Sequence, residues 1–146
     1  MKISQDLKTQ VDPTKTNAQS NNGKANSFQH AVSQEKHKMQ EAQLNKLLNN
    51  LQLQGEKVAR VRSFKDLARY KKMVQQFVDE AVQYGLDLEQ SRSWNLNGDH
   101  RKHMLVKQVD EKLIQLTDDV LDEQKSSIDV LGVIGEIKGL LLNLKA

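Results

Sequence analysis

The sequence predicts a mainly α protein. It reads as a bundle of about four helices forming one domain over residues 27–146, preceded by a disordered tail over residues 1–26 and interrupted by a short β-hairpin around Trp94. Three observations carry this. Apolar residues recur at threes and fours through most of the chain, the spacing that gathers them on one face of a helix. Only 37% of residues are hydrophobic and 4% aromatic, so the core must be aliphatic. The single proline is Pro13, which leaves everything after the tail free of the strongest helix breaker.

Residues 1–26 are rich in Asn, Thr, Gln and Lys and hold too little apolar surface to offset the entropy of ordering them. The first helix is expected from Ser27, a capping residue, to about Leu53, with Phe28, Val32, Met39, Leu44, Leu47, Leu48 and Leu51 on its apolar side. Gly55 then marks a stop or a kink. The second helix starts at Ser63, where Asp66 three residues on makes a capping signal, and its face is Leu67, Val74, Phe77, Val78, Ala81 and Val82. Gly85 is placed to end it.

From Leu86 to His103 the pattern changes. Leu86, Leu88, Gln90, Arg92 and Trp94 follow a period of two, and Asn97-Gly98 is the strongest short hairpin dipeptide, so a hairpin or ordered loop is expected. A third helix follows from Val106 to about Asp122. Ser126 or Ser127 caps a fourth, carried by Ile128, Leu131, Ile134, Ile137, Leu141 and Leu144. Gly132, Gly135 and Gly139 fall at spacings of three and four within it, and each costs roughly 1 kcal/mol against alanine in a helix interior. Their common side implies a close neighbour, from this chain or from a second subunit.

The chemistry excluded is broad. With no cysteine there is no disulfide, thiolate metal site or thiol nucleophile, and a reducing cytoplasm is the expected location. The opening MKISQDLKTQ lacks the apolar run of a secretory signal, and the apolar stretch 128–144 is interrupted by Asp129, Glu136 and Lys138, so no membrane partner is expected. His100 and His103 are three apart but lack an obvious third metal ligand. Adjacent carboxylates such as Asp79/Glu80 and Asp118/Asp119 diverge by about 100° on a helix and cannot converge on one substrate atom. The glycines of GVIGEIKG, residues 132–139, follow no strand and lie inside a helical pattern, a poor match to a dinucleotide loop. No catalytic residue, metal or cofactor is assigned, and an enzyme is not expected.

Charge is unevenly distributed. From Lys57 to Lys72 seven basic residues face Asp66 alone, a net +6; from Arg92 to Lys107 four face Asp99, a net +3. From Asp110 to Glu123 six acids face Lys112, a net −5. Two readings stay open. Arg60, Arg62, Arg69, Arg92, Arg101 and Lys102 form an anion-binding surface, with Trp94 as an exposed platform; or the acidic helix neutralises the basic segment internally and Trp94 anchors the hairpin.

The stretches SFKDLARYKKMVQQFVDEA (63–81), QSRSWNLNGDHRKHMLVKQVDEKLIQLTDDVL (90–121) and IDVLGVIGEIKGLLLNL (128–144) resemble the YaaR family of small bacterial proteins, typical of Firmicutes. The resemblance implies a cytoplasmic, mainly helical protein and supplies no catalytic residue or ligand. The function expected from the residues is therefore macromolecular interaction, with a protein partner or a second copy. The alternative is a nucleic-acid or nucleotide-binding module using the basic segment 57–72 and the region 92–107.

Overall fold

The computed structural model describes the backbone of residues 14–90 and 96–146 and the side chains of residues 27–88 and 100–146. Four helices account for nearly all of it: α1 (Thr14–Val61), α2 (Phe64–Gln90), α3 (Leu96–Leu121) and α4 (Ser127–Lys145). The chain divides into two compact units, Met1–Lys38 and Met39–Ala146. In the first, the described part of α1 is exposed, Phe28 and Val32 included, and Gln34 lies 3.0 Å from His30 within one turn of helix.

The second unit holds the core. Leu44, Leu51 and Val58 from α1, Leu67, Tyr70, Val74 and Phe77 from α2, Val109, Leu113 and Leu116 from α3, and Val130, Ile137, Leu141 and Leu144 from α4 are buried in a single cluster. The expected aliphatic bundle is what forms. Phe77 is the largest side chain fully inside it.

Helix starts follow the local chemistry. The Ser63 hydroxyl accepts from the Asp66 amide at 3.1 Å and donates to its carboxylate at 2.8 Å, so the expected cap of α2 is present. Ser126 caps α4 in a full capping box: its hydroxyl accepts from the Asp129 amide while its own amide donates to the Asp129 carboxylate.

Several expectations need correction. The hairpin around Trp94 does not form: α2 runs on through Gly85 to Gln90, and α3 begins at Leu96, ahead of His100 and His103. A type I′ turn at Asn97-Gly98 would need positive φ at both residues. Both instead lie in the first turn of α3, where residues that favour turns are equally at home because the first amides of a helix are unsatisfied. Trp94 and Arg92 lie outside the described residues.

Gly55 neither stops nor kinks α1, which continues to Val61. A Cβ there would sit 2.9 Å from Ile134 Cγ2 and 3.1 Å from the Tyr70 ring, so the glycine is required by close packing. Helical backbone also begins at Thr14, upstream of the expected start at Ser27. Adding residues to an established helix costs far less than nucleating one. Residues 1–13 of the expected tail lie outside the described residues.

The fourth helix departs most from the sequence pattern. Ile128 and Leu131, expected in the core, are 79% and 43% exposed, while Val130 and Val133 are buried in their place.

Candidate functional site

Arg62 stands apart from the other candidate anion binders. It follows the last residue of α1 with φ +56°, among described residues the one non-glycine in the left-handed region. From there its guanidinium reaches the end of α3, donating to the carbonyls of Asp119 (2.8 Å), Val120 (3.1 Å), Asp122 (2.7 Å) and Lys125 (2.5 Å). The carbonyls of Asp119 and Val120 belong to the last turn of α3, which lacks intrahelical donors; those of Asp122 and Lys125 lie just beyond it, and the Asp122 carbonyl also accepts from the Lys125 amide at 3.0 Å. Arg62 therefore clamps the α1–α2 junction to the α3–α4 junction, and its donors are committed to the fold.

Arg60 and Arg69 are brought together. Both are exposed and line a groove of about 530 Å³ between α1 and α2, together with Leu53, Gln54, Glu56, Lys57 and Met73. Lys57 forms a 3.4 Å ion pair with Asp66. Asp66 is further held by Gln54, whose amide donates to the Asp66 carbonyl at 3.0 Å. The Ser63 hydroxyl, aided by Lys57 and Gln54, keeps the Asp66 carboxyl below its ordinary value against the opposing effect of burial. At the α4 cap the backbone and hydroxyl of Ser126 lower Asp129 in the same way.

Neutralisation of the basic segment by an acid of α2 is present at Lys57, which pairs with Asp66, whereas neutralisation by the acidic α3 is not seen among the described side chains. Among the described residues no ion pair or side-chain hydrogen bond joins Arg60, Lys65, Arg69 or Lys72 to an acid of α3. Arg101 is exposed on α3, whereas the Lys102 side chain lies over Gly85 of α2, with its Cε 3.2 Å from where a Cβ would be. The six candidates thus do not form one site: Arg60 and Arg69 share a groove, Arg62 is a structural clamp, Arg101 and Lys102 sit on α3, and Arg92 is not described.

The second surface is the outer side of α4. Ile128, Gly132, Gly135, Gly139 and Leu142 follow one another at threes and fours with Leu131 beside them, opposite the buried row Val130, Val133, Ile137, Leu141 and Leu144. A Cβ added at Gly132, Gly135 or Gly139 would meet nothing within 4 Å. Among the described residues, no helix makes the close approach expected there.

Beside this face is a small apolar cavity of about 170 Å³, walled by Leu48, Leu51, Tyr70, Leu131, Ile134 and Leu141. That is below the roughly 300 Å³ at which ligand pockets begin. Its rim is closed on one side by Lys138, which donates to the Gln52 side chain at 3.0 Å. Burial pushes the Tyr70 hydroxyl well above its usual value, so it stays neutral and supplies no phenolate. His100 and His103 are both exposed on α3, and no group of three His, Asp or Glu side chains among the described residues is placed to hold a metal. None of the described helices is long and apolar enough to cross a membrane.

The signals for these surfaces differed in strength. The basic run was plain in the sequence. The glycine strip on the outer side of α4 was legible too, whereas Ile128 and Leu131 beside it read as core residues because the helix is apolar on both sides.

Known proteins share this architecture. The chain is 43% identical over 144 residues to the uncharacterized protein YaaR of Bacillus subtilis (strain 168), covering 99% of each. Its fold is similar to the crystal structure of the uncharacterized protein BH1478 from Bacillus halodurans, with a TM-score of 0.73 and 34% identity over 80% of this chain and 96% of that one. It is also similar to Moevan, a designed granulopoietic protein, with a TM-score of 0.69 and 30% identity over 75% of this chain and 94% of the other. Residues 3–145 match the model of DUF327, a protein family of unknown function, and the chain belongs to that family.

Proposed function

We propose that this protein acts by binding another protein through the outer face of α4, without catalysing a reaction. The observation that carries this is the double-sided character of α4. One side is fully used in the core, and the other presents Ile128, Leu131 and Leu142 around three glycines. A surface helix ordinarily shows a polar outer side, and one that is apolar all round is normally buried all round. Glycines in a helix interior are costly, yet among the described residues nothing lies within 4 Å of where a Cβ on any of these three would be. A flat glycine-lined strip flanked by large aliphatic side chains suits the backbone of a partner helix lying along it.

Support for a non-catalytic role comes from the sequence, which has no cysteine nucleophile and whose adjacent carboxylates diverge on their helices. A cytoplasmic setting belongs to the same reading and is supported by the cysteine-free sequence.

The test compares wild-type bait with the double variant Leu131→Glu/Leu142→Glu in affinity capture from the native cell. Both positions are exposed, so the variant is expected to keep its melting temperature while losing the captured proteins. Identical captured sets from the two baits would refute the assignment.

A further inference from the structure

We propose that the basic groove between α1 and α2 receives the outer face of α3 from a second copy of this chain. The two surfaces are complementary, and among the described residues Arg60 and Arg69 of the one and Glu111 and Asp118 of the other make no ion pair. The groove offers Arg60 and Arg69 over an apolar floor that includes Leu53, 65% exposed, and the half-buried Met73. Lys65 and Lys72 extend the charge along α2, one turn to either side of Arg69, and both are exposed.

The face of α3 turned away from the core reads as its counterpart. Glu111, Ile114, Asp118 and Leu121 follow at threes and fours, and Asp122 comes just past the helix end; the acids are exposed, and Ile114 and Leu121 are 64% and 51% exposed. From Glu111 to Asp122 this strip is about 16 Å long, against about 15 Å for the α1 wall of the groove from Asn50 to Arg60. Among the described residues, Glu111 and Asp118 have no ion pair, and the one contact of the Asp122 carboxylate is with the Gln124 amide, 2.9 Å away in its own turn.

The apolar components decide between partners. A phosphate backbone needs cations and has no use for the apolar side chains of Leu53 and Met73 in the groove lining. A helix alternating acids with Ile and Leu uses both halves of the lining. Burial of the aliphatic residues then supplies affinity, while the charges set register and speed the encounter. Because the groove and the strip are different surfaces, two copies can close the contact only by making it twice; otherwise it propagates as an open chain.

The experiment measures self-association of the full chain by light scattering after size exclusion. Runs at low ionic strength and at roughly 0.5 M salt, where screening acts within about 5 Å, give the salt dependence. Association is expected at low salt and is weakened by salt. The groove variant Arg60→Glu/Arg69→Glu and the strip variant Glu111→Lys/Asp118→Lys are each expected to associate roughly tenfold or more weakly, with unchanged melting temperatures. Mixed one to one, the two variants restore the complex, as does the chain carrying all four substitutions. The α4 variant Leu131→Glu/Leu142→Glu leaves this association intact, which separates it from the function proposed above. A monomer at low salt, an association indifferent to the four charges, or failure of the mixed variants to recombine overturns the proposal. So does a monomeric wild type that binds a DNA or RNA oligomer and loses it only in the groove variant, which would make the groove a nucleic-acid site.

Discussion

At the scale of the residue, Arg62 concentrates several functions in one side chain. Its left-handed backbone costs roughly 1 kcal/mol or more for a residue with a Cβ, and the fold retains it because four carbonyls are satisfied in return. Replacing Arg62 with Ala is expected to lower stability by about 1–3 kcal/mol in urea unfolding, the range for charged hydrogen bonds lost at a partly exposed site. Arg62→Lys recovers little, because a compact ammonium cannot fork across carbonyls from two different segments. A variant as stable as the wild type would show the clamp to be incidental. Nothing in the sequence distinguished this arginine from Arg60 or Arg69, since all three lie in one basic run. Its role depends on residues 57 to 63 positions away along the chain, which local spacing cannot reveal.

At the scale of the element, the glycines separate two uses of the same residue type. Gly55→Ala in α1 drives a methyl into Ile134 and the Tyr70 ring and is expected to destabilise by about 1–3 kcal/mol. Gly135→Ala in α4 meets open space, and helix propensity alone should raise the stability of the isolated chain by up to about 1 kcal/mol. Thermal unfolding of both variants checks this; a loss of stability at Gly135 would mean that its outer side is packed within the chain. The same comparison shows what was legible. Spacing placed Leu67, Val74 and Phe77 on the buried face of α2, and the caps at Ser63 and Ser126 were readable from their chemistry. It failed between Leu86 and His103, where a period of two over a few residues was taken for strand and helical backbone formed at both ends. In α4 it placed Ile134, Ile137, Leu141 and Leu144 correctly in the core but not Ile128 and Leu131, because apolar residues on both sides of the first turns leave periodicity no way to say which row faces inward.

At the scale of the whole molecule, the two helix-capping carboxylates link the fold to pH. Asp66 and Asp129 both titrate below their ordinary value of 3.8 in the folded chain, held down first by their bonds with Ser63 and Ser126. The unfolded chain therefore binds protons more readily in that window. Their contribution is fully present above about pH 4 and is lost as the pH falls through the lowered values. Urea midpoints are expected to drop below about pH 4, and the double variant Asp66→Asn/Asp129→Asn should be less stable at neutral pH with a shallower acid decline. An equal acid decline in the variant would assign the effect to other carboxylates. The net charge of +3 gave no hint that the molecule is divided into a basic groove and an acidic strip. The runs of +6 and −5 along the chain showed the division already; the structure adds that, among the described residues, no ion pair joins the two.

The Arg62 clamp also bears on how the chain is made. The carbonyls that it holds are synthesised 57 to 63 residues after it. Until the end of α3 has left the ribosome, the junction between α1 and α2 carries its strained backbone with nothing to offset it. The first helix pair is thus expected to fluctuate through most of synthesis and to lock only when the second pair arrives. The bundle should then mature as one late step, with its most vulnerable interval being the one in which α4 and its apolar outer face are last to appear.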